Sequence, residues 1–220
     1  MSRKSRTRAP REPFPTRQAV VLLTAALAFR LVYWLLASKS LFLQTPVVDG
    51  SFFDIWARTL AAGREFQAAV FFKPPLYAYL LSWLYRAGFA MTGVLVLQML
   101  AGSVTVLLTY LCGRLVFTPR IAFGGAMVLA FLPILPFFET QLLAETWTTA
   151  LTMGALLLVL RMVAGRASSP GRTLFFAGLL MGVAALGRPN LMLLAAATAG
   201  WRWWSGRRKG GPPAAGVTTG

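Results

Sequence analysis

Residues 90–117, AMTGVLVLQMLAGSVTVLLTYLCGRLVF, are the strongest indication of the fold class, since their single charged side chain is Arg114 near the end. A helix needs about 20 apolar residues to cross about 30 Å of hydrocarbon. Similar apolar segments occur at 18–37, 121–137, 142–163, 174–186 and 191–204. The sequence therefore predicts an all-α, polytopic helical membrane protein with about six transmembrane helices.

Composition supports this class and removes several kinds of chemistry. The chain is 57% hydrophobic and 13% charged, with a mean hydropathy of +0.64, whereas soluble domains are about 25% charged. Histidine, the commonest general base and metal ligand, is absent, and Cys112 is the single cysteine. We therefore expect no cofactor, no tight metal site and no intramolecular disulfide.

The formal charge of +16 is distributed in short segments between the apolar stretches. With a cytoplasmic N-terminus, fifteen of the 22 Lys and Arg residues lie inside and six outside, with Arg30 within the first span. This placement predicts contact with anionic headgroups of the lipid bilayer rather than with nucleic acid. We predict a multi-pass protein of the cell (inner) membrane.

Three regions follow from this topology. Residues 1–17 form a basic cytoplasmic N-terminus, and the first span is an anchor that is retained rather than a cleaved signal peptide. Residues 18–204 form the transmembrane module, with a first external loop at 38–89. Residues 205–220 are predicted to be a disordered, basic cytoplasmic tail.

The segment PPLYAYLLSWLYRAG, residues 74–88, is too short to be counted as a span. Counting it as one would place Arg114 and Arg120 outside. It is predicted to be an interfacial or re-entrant helix whose aromatic side chains suit the headgroup layer. Those side chains are Tyr77, Tyr79, Trp83 and Tyr85.

The external loop also contains DGSFFDIWARTLAAG, residues 49–63, which predicts a juxtamembrane amphipathic helix ending at Gly63. Its apolar stripe is expected on the membrane surface, and consists of Phe52, Phe53, Ile55, Trp56 and Leu60. Two interpretations of its acids are open. Asp49 is an N-cap and Asp54 an i,i+4 partner of Arg58, or the two carboxylates serve chemistry.

The second interpretation gains support from where the acids lie. Five of the six are on the predicted outer side, namely Asp49, Asp54, Glu65, Glu139 and Glu145. Glu145 is the stronger site candidate of the last two, since a carboxylate inside a span is costly unless it faces a cavity. Glu139 could simply end the third helix. Arg30 needs a partner for the same reason, either a carboxylate of the bundle or a lipid phosphate.

The motifs PVVDGSFFDIWA (46–57) and FFKPPLYAYLL (71–81) resemble the GT-C glycosyltransferases, in the branch of protein O-mannosyltransferases and the aminoarabinose transferase of lipid A. FLPILPFFETQLLAET (131–146) and GVAALGRPNLMLL (182–194) are similar to later parts of that branch. The resemblance implies transfer of a sugar from a polyprenyl-phosphate donor to an acceptor at the outer face of the membrane. It matches Asp49 to the catalytic acid and Lys73 to the lysine near the lipid phosphate.

Sugar transfer with inversion needs a carboxylate base and cations that hold the departing phosphate. The candidate catalytic residues are Asp49 and Asp54. The candidate substrate-binding residues are Lys73, Arg58, Glu145, Arg188 and Tyr77. Headgroup contact is the alternative role for Arg188. Gly178 and Gly182 form a small-xxx-small pattern that predicts close helix packing.

Two functions from different classes remain open. The first is a glycosyltransferase, either active alone or as the N-terminal half of a split enzyme with a second membrane subunit. The second is a truncated, non-catalytic membrane protein that binds polyprenyl phosphate or a partner subunit. Asp49 and Lys73 favour the first, whereas a chain of about six spans, half the number usual in the resembled family, favours the second.

Overall fold

The computed structural model describes residues 14–40, 45–64 and 73–208. These residues form helices and no strand, which confirms the all-α prediction. The helices are α1 (Thr16–Ala37), α2 (Asp49–Ala61), α3 (Leu76–Arg86), α4 (Met91–Val116), α5 (Pro119–Ala130), α6 (Ile134–Glu139), α7 (Glu145–Val163), α8 (Pro170–Gly187) and α9 (Leu191–Arg208). The described ranges leave out four predicted features: the basic N-terminus up to residue 13, Glu65, residues 71–72 of the FFKPPLYAYLL motif and residues 209–220 of the predicted tail.

Four of the described helices are long and apolar enough to cross a membrane, namely α1, α4, α7 and α8. They coincide with the first, second, fourth and fifth predicted spans. The third predicted span is instead two helices, because α5 ends at Ala130 and α6 begins after Pro133. Proline has no backbone N–H and disfavours a helical residue before it, which explains the break. The sixth predicted span forms α9, which continues to Arg208.

Helix α4 is the centre of the bundle and packs against α1, α5 and α7, while α8 packs on α7. The contact of α1, α4 and α5 is built on small side chains around a few larger ones. Its buried residues are Leu22, Ala26, Val106, Tyr110, Ala122, Ala126 and Ala130. Small residues let helix backbones approach closely. The resulting van der Waals contacts stabilise helix packing in a membrane, where the hydrophobic effect gives little attraction between helices.

The small-xxx-small prediction for α8 is wrong. Gly178 and Gly182 have open space where a Cβ would stand, so neither lies at a close helix contact. The buried face of α8 is formed instead by Ala177, Met181 and Ala184. A glycine pair in one helix does not show which face of that helix meets its neighbour. In α8 the face with the two alanines meets the neighbouring helix.

Helices α2 and α3 pair with each other against the start of α4. The expected membrane-surface stripe of α2 is therefore only partly right. Phe53 and Trp56 are buried in a cluster with Tyr77 and Leu81 of α3, whereas Ile55 is exposed. The tyrosine- and leucine-rich face of α3 lies close enough to cover two of the five stripe residues, so they face protein rather than lipid.

The predicted end of α2 at Gly63 is confirmed. Gly63 has a φ of 72°, a backbone conformation that glycine adopts without a Cβ clash. The N–H of Gly63 donates to the carbonyl of Leu60 at 3.0 Å, and that of Arg64 to the carbonyl of Thr59 at 3.1 Å. These two bonds form a Schellman motif, which satisfies the last carbonyls of the helix.

Candidate active site

Asp49 and Lys73 form an ion pair, with Lys73 Nζ 2.5 Å from Asp49 Oδ1. The side chain of Asp49 is 54% exposed and that of Lys73 is 18% exposed. Asp49 is the first residue of α2, and the N-cap position is taken by Val48 instead of by Asp49 as the N-cap interpretation held. The carboxylate is instead directed to the lysine that precedes α3 and remains open to solvent.

Two further features lie at this pair. Lys73 Nζ lies 5.9 Å and 5.7 Å from the ring centres of Phe52 and Phe53, within range of cation–π attraction. Val48, directly before Asp49, has a φ of 48° and a ψ of −115°. Positive φ is unusual for a β-branched residue and stores backbone strain, which proteins tend to place at functional sites.

Asp54 accepts hydrogen bonds on both carboxylate oxygens, one from Arg58, as its structural interpretation predicted, and one from Tyr85, which was not predicted. Arg58 Nε donates to Oδ2 at 2.8 Å, and the Tyr85 hydroxyl donates to Oδ1 at 2.5 Å. The Arg58 guanidinium also lies 4.9 Å from the centre of the Tyr85 ring. Burial, followed by the bond to Asp54, raises the pKa of Tyr85 well above its usual range, so the phenol stays a proton donor. These contacts tie α2 to α3.

Glu145 and Arg188 form a second, partly exposed ion pair, with Arg188 Nη2 2.5 Å from Glu145 Oε1. Glu145 is in the first turn of α7, and Arg188 directly follows α8. A Cβ added to Gly187 would collide with Thr148 of α7 and approach Leu76 of α3. This end of α8 therefore lies against α3, which places the Glu145–Arg188 pair at the same end of the bundle as the Asp49–Lys73 pair.

Of the two partners that the sequence left open for Arg30, the structure shows the carboxylate, which belongs to Glu139. Arg30 Nε lies 2.7 Å from Glu139 Oε2, and Nη2 lies 2.6 Å from Oε1, a bidentate arrangement. The two side chains are 1% and 4% exposed. Glu139 does end a helix, as its simpler interpretation held, but its side chain also joins α6 to α1. Its carboxylate occupies the space beside Gly102, where a Cβ would overlap it.

Tyr77 is buried, unlike the exposed Tyr79 and Trp83 of the same helix. Its hydroxyl donates to Gln98 Oε1 at 2.5 Å, and Gln98 Nε2 donates to the carbonyls of Glu139 and Gln141 at 2.7 Å. The structure thus places this predicted binding residue in a hydrogen-bonded chain that connects α3, α4 and α6. It does not bring the Tyr77 hydroxyl to the Asp49–Lys73 pair.

Sequence reasoning missed Gln98, Gly102 and the role of Tyr85. Gln98 carried a signal, since an amide in the middle of an apolar span needs partners there. Gly102 and Tyr85 carried none, because their roles depend on side chains distant in sequence. In the described ranges, His, Cys, Asp and Glu side chains do not gather in threes as a metal site would require.

Comparison with protein families matches residues 72–211 to a family model described as dolichyl-phosphate-mannose-protein mannosyltransferase. The match covers more than half of the chain, begins directly before Lys73 and leaves out Asp49 and α1. Comparison with curated proteins finds no significant match. Comparison with solved structures finds none either.

Proposed function

The chain belongs to the dolichyl-phosphate-mannose-protein mannosyltransferase family, and from this premise we propose that it takes the sugar from a polyprenyl-phosphate donor. Membership makes it a membrane glycosyltransferase of the GT-C type. In the proposed reaction an acceptor at the outer face of the membrane receives the sugar. Asp49 is the general base, and Lys73 holds the lipid phosphate.

The observation that carries this proposal is the Asp49–Lys73 pair of 2.5 Å, with the carboxylate still open to solvent. The donor phosphate takes the place of the Asp49 carboxylate on Lys73. Asp49 then accepts the proton of the acceptor hydroxyl, while the oxygen of that hydroxyl forms a bond to the anomeric carbon of the sugar. The bond between that carbon and the phosphate oxygen breaks, and polyprenyl phosphate leaves with the electron pair, its charge stabilised by Lys73.

Arg188 is the proposed second cation for the phosphate. It lies at the same end of the bundle as Lys73, and Glu145 holds its guanidinium at 2.5 Å. About half of the Arg188 side chain is exposed, so a ligand can reach it. In this scheme Glu145 orients Arg188, while Asp54 and Arg58 hold α2 against α3 and act on the reaction only through the position of Asp49.

The outer-face assignment rests on the charge distribution of the sequence and is testable directly. A cysteine introduced at Ser51, beside Asp49, should react with a membrane-impermeant maleimide in intact cells, whereas one at Ser169 should not. The unmodified chain is the control, since its single cysteine, Cys112, is buried. Labelling at Ser169 alone, or equal labelling of both sites, would reverse or remove the assignment.

The donor proposal is tested by binding of polyprenyl phosphate to purified protein. Lys73→Ala should weaken binding by about 1.5–3 kcal/mol, the usual contribution of a hydrogen bond to a charged group. Lys73→Arg keeps the charge and should retain more of the binding than of the transfer rate. Lys39→Ala, another lysine of the predicted outer side, is the matched control and should bind normally.

Two outcomes count against parts of this proposal. Equal binding with and without Lys73 would remove the lipid-phosphate role of that residue. Lysine-dependent binding without measurable sugar transfer, with donor and acceptor varied, would leave the chain as a polyprenyl-phosphate-binding membrane protein rather than a transferase.

A further inference from the structure

A cavity of about 460 Å³ lies between α7 and α8, at the end of the bundle opposite the Asp49–Lys73 pair. Its wall includes Leu158 of α7 and Phe176, Leu179 and Leu180 of α8. The volume falls in the range of small-molecule sites. Phe176 and Leu179 are about half exposed on a helix long enough to span the membrane, so this wall faces lipid acyl chains.

The mouth of the cavity is polar and basic. Ser168, Ser169, Arg172 and Thr173, at the start of α8, line it. Arg172 is exposed, and the Thr173 hydroxyl donates to the Ser169 carbonyl at 2.9 Å. The preceding loop adds Arg166, and no Asp or Glu follows Glu145 in the printed sequence. Residues 146–220 therefore contribute positive charge and hydroxyl groups to the mouth, and no acid.

We propose that this cavity binds one anionic phospholipid from the leaflet on the side of the α7–α8 loop. An acyl chain lies along the wall of Leu158, Phe176 and Leu179, and the phosphate lies at Arg172 and the serine hydroxyls. Basic pockets between spanning helices bind anionic headgroups in this way. A zwitterionic lipid would add an ammonium group beside the arginines, and a free phosphate would leave the wall unused. The proposal is independent of the sugar-transfer site.

The test compares lipid retention by delipidated protein in neutral detergent, measured by native mass spectrometry. Phosphatidylglycerol should be retained in preference to phosphatidylcholine with the same acyl chains. Arg172→Gln should reduce phosphatidylglycerol retention at least about tenfold, because a charge-assisted hydrogen bond to phosphate is lost. Arg161→Gln removes the same charge at the same end of the bundle but outside the cavity, and should change retention little.

A second pair of variants tests the acyl wall. Leu179→Trp fills the cavity and should lower phosphatidylglycerol retention, whereas Leu186→Trp, an exposed position of α8 outside the cavity, should not. Equal retention of the two lipids by the unmodified protein would overturn the proposal. So would equal losses in Arg172→Gln and Arg161→Gln, which indicate diffuse surface attraction, or displacement of the lipid by inorganic phosphate at comparable concentration, which indicates a site for the free anion.

Discussion

The Arg30–Glu139 and Asp49–Lys73 pairs join similar charges in opposite surroundings. Arg30 and Glu139 make two hydrogen bonds of 2.7 Å and 2.6 Å inside the bundle, with side chains 1% and 4% exposed. Asp49 and Lys73 make one contact of 2.5 Å, and more than half of the Asp49 side chain is open to solvent. In the first pair both charged groups are shielded from solvent and bonded to each other, while in the second the carboxylate remains accessible to solvent.

Under the proposed function, this difference distinguishes a pair that stabilises the fold from a pair that takes part in the reaction. Two charges withdrawn from water must stay paired, since losing one partner leaves the other uncompensated. An exposed pair contributes little to stability because water solvates each charge when the pair opens. We therefore expect variants of the buried pair to change folding and variants of the exposed pair to change transfer. Variants of each pair, and of the residues that contact them, test this contrast.

The largest effect is expected from Glu139→Ala, which leaves the Arg30 guanidinium buried without its carboxylate. Removing one partner of such a pair costs about 3–5 kcal/mol, so the midpoint of thermal unfolding in detergent should fall strongly. Glu145→Ala, which breaks the partly exposed pair with Arg188, is the control and should cost less than about 1 kcal/mol. Similar losses in the two variants would contradict the contrast.

Asp49→Asn should lower sugar transfer at least about 100-fold, because the amide cannot accept the proton of the acceptor. Its unfolding midpoint should stay close to that of the unmodified protein, since the Asp49 side chain is more than half exposed and the asparagine amide oxygen can still accept a hydrogen bond from Lys73. Asp54→Asn, measured beside it, should show the smaller loss of transfer. Normal transfer by Asp49→Asn would remove its role as base.

Gly102→Ala places a methyl group where the Glu139 carboxylate now lies. Overpacking of this kind typically costs about 1–3 kcal/mol, and here the carboxylate must move while still bound to Arg30. The control is Gly178→Ala in α8, where a Cβ meets open space and the change to alanine should be neutral or slightly stabilising. Unfolding midpoints of the two variants report the difference, and equal midpoints would show that Glu139 relaxes freely.

The smallest effect is expected from Arg58→Gln. This variant removes an exposed i,i+4 contact to Asp54 but leaves the Tyr85 hydroxyl bond in place. A loss below about 1 kcal/mol is expected, and it should shrink further at high salt because exposed pairs are screened. A loss of stability as large as that of Glu139→Ala would show that the Asp54–Arg58 pair contributes to stability as a buried pair does.

Much of the fold was predictable because membrane insertion depends on local composition. Four predicted spans became long apolar helices, and Gly63 ended α2 as expected. The pairing of Asp54 with Arg58 followed from helical spacing alone. In the candidate site, Asp49 and Lys73 were identified by resemblance, and the structure brings them into contact. Their roles in the reaction remain proposals.

The errors about the stripe of α2 and about Tyr77 share one cause, which is that a local pattern does not identify a partner distant in the sequence. The stripe of α2 was expected on lipid, but α3 covers Phe53 and Trp56. The same limit applies to Tyr77, which was expected at the membrane interface because it is amphipathic. In the structure its hydroxyl instead donates to Gln98 inside the bundle. In each case a neighbouring element supplied a closer partner than solvent or lipid.

The sequence alone predicts that this chain is a helical membrane protein and that Arg30 needs a partner inside it. Both conclusions follow from the free energy of placing single side chains in hydrocarbon, which depends on residue type and local spacing. The folded structure was needed to show that the partner is Glu139, 109 residues away, and that Asp49 pairs with Lys73. Those choices depend on which helix faces meet, and that is set by packing of the whole bundle.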